Sequence, residues 1–175
     1  NFYSIKEARK HSSIVLVIVH GGNEDYNLPS ERIVEAYRFF ADIGASAVIS
    51  HHSHCLSGYE VYKDVPIFYG LGNFIFECPF TDVPDSWFTG MMLSLNINSE
   101  ERLSFELKPF YQFKEGPGLK FLEGSEKNAV MKEIDLYSEI IKDKRKLQQK
   151  WDEFSEKSRH YYYTELTGLG KIRRK

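Results

Sequence analysis

The stretch Ser13–Val19, SIVLVIV, followed by His20, decides the fold of this chain. Its β-branched residues run without alternation, which is typical of a strand buried on both faces of a parallel sheet. After a polar loop, Pro29 opens a predicted helix that Gly44 ends, and Ser46–Ile49 forms a second short strand. A strand, a helix and a strand in this order predict a βαβ unit with parallel strands, and therefore the α/β class.

Histidines follow both predicted strands. His20 comes directly after the first, and the second leads into Ser50–Cys55, SHHSHC, which holds three of the six histidines of the chain. Because parallel strands end at the same edge of a sheet, His20 and this cluster should face one crevice, with Glu24 in the loop beside them. Neutral imidazole is the commonest protein ligand for transition metals, and His52 and His54 have the spacing of alternate residues in an extended loop. The pattern predicts a metal or catalytic site.

Two simpler interpretations of the cluster stay open from the residues alone. The first is a fortuitous polar loop, since single histidines such as His11 and His160 are expected to be ordinary surface residues. The second is a nucleophile at Ser53 or Cys55, which both lie beside histidines. The second is disfavoured because no strand–turn–helix elbow follows these residues.

Composition limits the class of protein. The 175 residues suffice for one ordinary domain, and a formal net charge of −2 with interspersed signs gives no basic field, which argues against a nucleic-acid partner. Cys55 and Cys78 cannot form a disulfide framework and are expected to be free thiols. No apolar run of about 18 residues occurs and the N-terminus lacks the order of a signal peptide, so a soluble chain is expected.

The middle of the chain predicts a change from α/β to β structure. Short strands are expected at Tyr59–Tyr62 and Ile67–Tyr69, separated by a turn, and longer antiparallel strands at Met91–Ile97 and Leu103–Phe113. The intervening GLGN, Gly70–Asn73, is a weak phosphate-loop signal because no helix pattern follows it. Its glycines are expected to permit a tight backbone path.

The C-terminal part predicts a connector, GPGLKFLEGSEK, and then one long helix over Ala129–Tyr163. The helix has an apolar stripe that should pack on the sheets or on a partner: Val130, Ile134, Tyr137 and Ile141, continued in a shifted position by Leu147, Trp151 and Phe154. The charged runs Lys142–Lys146 and Lys171–Lys175 are expected to be solvated faces, with contact to an anionic polymer or a membrane surface as the alternative.

Several separated motifs together resemble one known family. The segments VIVHGGNEDY, SHHSHCLSGYEVY and PIFYGLGNFIFE stand in the order and spacing of the bacterial capsule synthesis protein CapA family. This is the poly-γ-glutamate capsule group within the calcineurin-like metallophosphoesterases. The resemblance runs from the N-terminus to about Phe110. It departs from the family pattern at Gly21, Ser50 and Ser53, which replace a tryptophan, a glycine and a proline, so a different pocket shape is expected.

The resemblance implies roles for six residues. Three histidines correspond to metal ligands, and three further residues to catalytic, substrate-facing or ligand-supporting positions. The implied cofactor is one or two divalent transition metals, manganese, zinc or iron. The metal positions are His20, His52 and His54, and the catalytic positions are Glu24, His51 and Asn73.

The resemblance also implies a fold: the C-terminal half of a four-layer α/β/β/α metallophosphoesterase-like sandwich with a C-terminal helical extension. Residues 1–115 would belong to that domain, and residues 116–175 would form the connector, the long helix and the basic tail. In the family an N-terminal half supplies the other metal-site residues. Such a half sheet is expected to expose an edge and a partial core.

The implied function is a metal-dependent hydrolase linked to capsule or poly-γ-glutamate biosynthesis, in which metal-activated water attacks a phosphoester or a γ-glutamyl amide. The implied partners are an anionic polymer or small-molecule substrate, the N-terminal half of the same protein, and membrane or capsule-assembly partners. The resemblance suggests association with the cell envelope, with a cytoplasmic location as the alternative. The alternative is a non-catalytic assembly protein that keeps the fold without turnover. A closed structural metal site is disfavoured, since these loops offer no cysteine pair.

Overall fold

The computed structural model describes residues 2–76, 84–100, 102–114, 116 and 118–167, with the backbone alone for residues 160–162 and 164–167. Cys78, the His160 side chain and the tail Lys171–Lys175, for which predictions were made above, lie outside the described parts. The elements, in chain order, are α1 (Phe2–His11), β1 (Leu16–His20), α2 (Glu31–Asp42), β2 (Ala47–His51), β3 (Tyr59–Tyr62), β4 (Val65–Phe68), a 3₁₀ turn (Asp85–Phe88), β5 (Thr89–Ile97), β6 (Leu103–Gln112), β7 (Leu119–Phe121), α3 (Gly124–Lys142) and α4 (Lys144–Thr167).

The predicted βαβ unit is confirmed. Strands β1 and β2 are parallel neighbours, in a register that runs from Leu16 opposite Ala47 to His20 opposite His51. Helix α2 connects them, and it ends where Gly44 adopts a φ of +122°, a left-handed conformation that favours glycine. The fold is therefore mixed α/β, with a four-stranded sheet in the order β1-β2-β4-β3 and a three-stranded sheet in the order β5-β6-β7.

Strand β1 is less buried than the sequence predicted. Leu16 is 43% exposed and Ile18 is 70% exposed, whereas the side chains of Ala47 and Val48 on β2 are fully buried. The prediction of a strand buried on both faces was wrong because β1 lies at the edge of its sheet, where the described chain covers one face only. Strands β1 and β3 form the two edges of this sheet.

Two connections between strands also differ from the prediction. Lys63 and Asp64 have positive φ angles of 49° and 67° and form a two-residue turn, so that Val65 and Pro66 belong to strand β4 rather than to the turn. The antiparallel pairing of β5 with β6 is confirmed. Strand β7 lies within the segment predicted as a connector, and it pairs with the end of β6.

The prediction of one continuous helix over Ala129–Tyr163 was wrong, because the chain breaks at Asp143 into α3 and α4. The Asp143 backbone is extended, and its carboxylate accepts hydrogen bonds from the N–H groups of Arg145 at 3.1 Å and Lys146 at 3.2 Å. This is the geometry of a helix N-cap. The shift of the apolar stripe across Lys142–Lys146 was the sequence signal of the break.

Helices α3 and α4 supply side chains to the main core. Ile141 and Leu147 are each 2% exposed and lie in the same apolar cluster as Val48 of the central strand. Helix α3 passes so close to Gly58 that an added Cβ would lie 2.5 Å from the backbone nitrogen of Ser138. None of the helices in the described ranges combines the length and apolar character needed to cross a membrane.

Candidate metal site

The four-stranded sheet brings the two histidine-bearing strand ends together. His20 and His51 are opposite each other at the ends of β1 and β2. The chain after β2, here called the histidine loop (residues 52–58), turns the His52 ring against His20, with a centroid distance of 4.8 Å. The rings of His52 and His54 have centroids 6.1 Å apart. The four histidines predicted to share an edge therefore do so.

Glu24, His52 and His54 form a group that could hold a metal ion, because one ligand atom of each lies within 4.8 Å of the others. The Glu24 carboxylate comes from the Glu24 loop (residues 21–30), which follows β1, and its Oε1 lies 3.7 Å from His52 Nε2. Glu24 was predicted as a catalytic residue, and the structure places it among the candidate ligands. His20, predicted as a ligand, packs on His52 but lies outside this three-residue group.

Asn73 orients His54. The Asn73 side-chain N–H₂ group donates to the Trp87 carbonyl at 3.1 Å, which leaves Oδ1 as an acceptor 2.8 Å from His54 Nδ1. His54 therefore carries its proton on Nδ1 and keeps the Nε2 lone pair available, as metal-ligating histidines do. Trp87 also stacks on the His54 ring, with a centroid distance of 5.2 Å and an angle of 21°.

The backbone of the two loops is strained where the candidate ligands lie. His52 has a φ of 108° and His54 a φ of 57°, and Asp25, next to Glu24, has a φ of 56°. Left-handed conformations of residues other than glycine cost roughly 1–3 kcal/mol each and persist only where the surroundings impose them. Such strain is concentrated at functional sites, so its presence here agrees with a functional interpretation of these loops.

A buried hydroxyl joins the two loops at their base. Ser50 is 1% exposed, and its Oγ donates to the Gly21 carbonyl at 2.9 Å and lies 2.8 Å from the Tyr37 hydroxyl. The backbone N–H of Gly21 in turn donates to the His51 carbonyl at 2.9 Å. Gly21 and Ser50 are two of the positions that depart from the family pattern, and here they contact each other.

The GLGN segment passes directly behind the histidine loop. An added Cβ at Gly70 would lie 2.9 Å from both the Cys55 carbonyl oxygen and Ser53 Oγ, and Gly72 donates its N–H to the same carbonyl at 3.2 Å. The prediction that these glycines permit a tight backbone path is confirmed. Their close approach is what carries Asn73 to His54.

Ser53 and Cys55 are both unsuited to act as nucleophiles. Burial raises the pKa of the Cys55 thiol to about 11, with the negative charges of Asp25 and Glu133 adding to the effect. A thiol that stays protonated is unreactive. Ser53 is buried, and its hydroxyl donates to the Cys55 carbonyl at 3.2 Å.

The surroundings of His51 shift its pKa. Its pKa lies below the ordinary histidine value, first because partial burial desolvates the ring. The second cause is the positive charge of the nearby His20. A lowered pKa keeps the ring neutral at neutral pH, so that it can accept a proton. A catalytic role for His51 remains a prediction.

Sequence reasoning missed two aromatic residues at the site. Trp87, which stacks on His54, belongs to no motif, and nothing in the sequence linked it to the histidines. Tyr26 lies in the Glu24 loop, and its ring stacks on Phe154 of α4 with a centroid distance of 4.0 Å and an angle of 17°. Trp151 lies 5.9 Å from the same ring. The predicted stripe of α4 therefore packs on the Glu24 loop.

A known family resembles the part of the chain that contains the six site residues predicted from the sequence. Residues 3–78 match the family described as bacterial capsule synthesis protein PGA_cap. The chain is 44% identical over 82 residues to the PGA biosynthesis protein CapA of Bacillus subtilis (strain 168), a stretch that covers 47% of this chain and 22% of that protein. It is 39% identical over 82 residues to the capsule biosynthesis protein CapA of Bacillus anthracis, covering 46% of this chain and 20% of that protein.

A shorter stretch of 40 residues is 50% identical to the uncharacterized protein y4sH of Sinorhizobium fredii, covering 23% of this chain and 9% of that protein. The matched segment thus spans about a fifth of the length of the two CapA proteins. The family match, residues 3–78, includes the two site loops and the GLGN segment. The motifs that predicted the family lie in the same loops and segment. Residues 3–78, less than half of the chain, are thus similar to the PGA_cap family of bacterial capsule synthesis proteins.

Proposed function

We propose that this protein is a metal-dependent hydrolase of capsule or poly-γ-glutamate biosynthesis, and that Glu24, His52 and His54 hold its metal. One observation carries the proposal: these three side chains, from two loops that are separate in sequence, converge within 4.8 Å. The relatives support the biological setting, because two of them are named as biosynthesis proteins of PGA or of the capsule.

The donor set fits a divalent transition metal. Two imidazoles and one carboxylate suit zinc, manganese and iron alike, and a site with three protein ligands leaves room for a substrate. The hydrogen bond from His54 Nδ1 to Asn73 supplies the outer support that such ligands have. A bound metal of this kind supplies Lewis acidity for the hydrolysis of a phosphoester or an amide.

Other side chains at the same edge complete the proposed reaction. We assign His51, next to His52 in the chain, the role of proton acceptor, which its lowered pKa supports, and His20 packs on the His52 ring. The substrate is an anionic polymer or a small molecule with a phosphoester or a γ-glutamyl bond. Asn73 acts through His54 rather than on the substrate, since its side chain is 5% exposed.

The proposal includes the four-layer sandwich. Strand β1 exposes Leu16 and Ile18 beside a groove of about 500 Å³ between it and α1, which is the kind of surface that further strands of the same protein would cover. The CapA relatives are long enough to supply such strands, because the matched segment covers only 20–22% of them. Membrane or capsule-assembly partners are proposed for the complete protein on the same basis.

The experiment is an assay of the full-length protein for hydrolysis of aryl phosphoesters and of γ-glutamyl oligomers, after chelation and after reloading with Mn²⁺, Zn²⁺ or Fe²⁺. We expect turnover of one substrate class that disappears on chelation and returns with metal. For substitutions of the site histidines, the matched control is the His11→Ala variant. His11 is a surface histidine whose Nε2 lies 3.1 Å from Glu7 of its own helix. Metal binding without turnover of either class would contradict the hydrolase and favour a non-catalytic assembly protein.

A further inference from the structure

We propose that helix α4 positions Glu24, acting through the stack of Phe154 and Trp151 on Tyr26. Tyr26 follows Glu24 by two residues in the Glu24 loop. Its ring lies 4.0 Å from that of Phe154 and 5.9 Å from that of Trp151, and the two rings of α4 are themselves 5.7 Å apart. Three aromatic rings thus fasten the loop to the helix.

The ring of Tyr26, rather than its hydroxyl, makes this attachment. The hydroxyl oxygen is buried and has no hydrogen-bond partner among the described residues. A buried hydroxyl without a partner is unfavourable, so the position of this side chain has to come from its apolar contacts. Aromatic pairs in offset or tilted arrangements supply both area and a defined geometry.

Glu24 needs such external support more than the histidines do. Its side chain is 63% exposed, and its distance of 3.7 Å from His52 Nε2 is longer than a normal hydrogen bond. Beyond Glu24 the loop is tied to the histidine loop by Asp25 N–H, 3.0 Å from the Ser53 carbonyl, and by Asn27, whose amide donates to the Leu56 carbonyl at 2.9 Å. These bonds fix the loop backbone on one side, and the α4 stack holds it on the other.

Helix α4 is anchored to the rest of the fold near its start. Leu147 near its start is 2% exposed within the main core, and Lys144 forms an ion pair with Glu31 at the start of α2. The helix lies outside residues 3–78, so the family match gives it no role. It is here assigned the role of a positioning element for the carboxylate ligand.

The effect on metal binding rests on the proposed function, whereas the effect on the loop does not. Two measurements separate them. The first is Zn²⁺ affinity of the full-length protein, and the second is hydrogen exchange of the Asp25 amide, which is hydrogen-bonded to Ser53, in the metal-free protein.

For the affinity measurement, Phe154→Ala is compared with Phe154→Tyr, which keeps the ring. Both are measured by isothermal titration with Zn²⁺ and leave Trp151 in place, because that ring belongs to the stack under test. We expect Phe154→Ala to weaken Zn²⁺ binding roughly 10-fold and Phe154→Tyr to retain it. The control is Phe39→Ala, which removes a similar surface stack on Phe2, away from these loops.

A double-mutant cycle shows whether the helix acts through Glu24. In a Glu24→Ala background, Phe154→Ala should produce no further loss of Zn²⁺ affinity, because its effect requires the carboxylate. An equal loss in both backgrounds would overturn the inference, since it would show a general structural effect. Should Phe154→Ala fail to fold, Phe154→Leu removes the stacked ring while keeping apolar volume and gives the same comparison.

For the exchange measurement, Phe154→Ala should accelerate exchange of the Asp25 amide about 10-fold while leaving the amide of Val48 in the central strand unchanged. Unchanged exchange at Asp25 would overturn the inference whatever the metal affinity. If the wild-type protein binds no Zn²⁺, the proposed metal site fails. Faster exchange at Asp25 would then still support the positioning of the loop by α4.

Discussion

The two loops that form the site are held in different ways. The histidine loop is enclosed by the GLGN segment, since Gly70 packs behind it and the buried Asn73 forms a hydrogen bond with His54. The Glu24 loop lies further out and is attached to the histidine loop and to α4 through Tyr26. This difference indicates that the imidazoles are preorganised by the sheet, whereas the carboxylate depends on an element from the far end of the chain.

The largest expected effect is that of crowding the enclosed loop. In Gly70→Ala, the new Cβ would meet the Cys55 carbonyl and Ser53 Oγ, both at 2.9 Å, so we expect a loss of about 3 kcal/mol in the free energy of unfolding. The matched control in the outer loop is Gly21→Ala, whose Cβ would have only ordinary contacts, the nearest at 3.5 Å from Val19. Urea denaturation measures both, and equal losses would contradict the difference between the loops.

The next effect concerns the support of His54. Asn73→Ala removes the acceptor for His54 Nδ1, and we expect metal affinity to fall 10- to 100-fold, equivalent to about 1.4–2.8 kcal/mol. Asn73→Asp keeps an acceptor and should retain most of the affinity. Isothermal titration with Zn²⁺ measures both variants. The same affinity in Asn73→Ala as in the wild type would show that the histidine loop needs no such support.

A smaller effect is expected where the two loops meet. Ser50→Ala removes a hydroxyl that donates to the Gly21 carbonyl and that is the hydrogen-bond partner of the Tyr37 hydroxyl. The Ser50 side chain that makes both contacts is buried. We expect a destabilisation of about 1–2 kcal/mol, because two polar groups lose their partner. Thermal unfolding measures this loss, and the double variant Ser50→Ala/Tyr37→Phe should be less affected than the sum of the two single variants.

The smallest effect is expected in the outer loop itself. Tyr26→Phe deletes a buried hydroxyl without a partner among the described residues and keeps the ring on Phe154, so stability should change by less than about 0.5 kcal/mol. Tyr26→Ala, which deletes the ring, should loosen the Glu24 loop. Hydrogen exchange and urea denaturation distinguish the two variants. A large loss in Tyr26→Phe would show that the hydroxyl, rather than the ring, holds the loop.

Much of the fold could be predicted because its signals are local. The βαβ unit followed from the apolar runs around β1 and β2 and from Pro29 and Gly44, and the structure confirms it. The burial of β1 could not be predicted, since a run of apolar residues does not reveal which strand lies at an edge. The break at Asp143 was missed, although the apolar stripe shifts there, because a capping side chain inside a charged run resembles any solvated residue.

The site was predictable in part for the same reason. His20 and the histidine cluster follow strand ends, and parallel pairing brings strand ends together, so they could be placed at one edge of the sheet from the sequence, whereas the pairing of His20 with His51 comes from the structure. The stacking of Trp87 on His54 and of Phe154 on Tyr26 depends on how distant segments pack. Such contacts join residues more than thirty positions apart, and no local pattern marks them.

The measurement that tests the central claim most directly is the metal content of the purified full-length protein and of its Glu24→Ala, His52→Ala and His54→Ala variants. Elemental analysis of each, with circular dichroism to verify folding, gives the result. We predict stoichiometric divalent metal in the wild type and its loss in both histidine variants, with a partial loss in Glu24→Ala, because these residues form the candidate group. Unchanged metal content in folded His52→Ala and His54→Ala proteins would contradict the account.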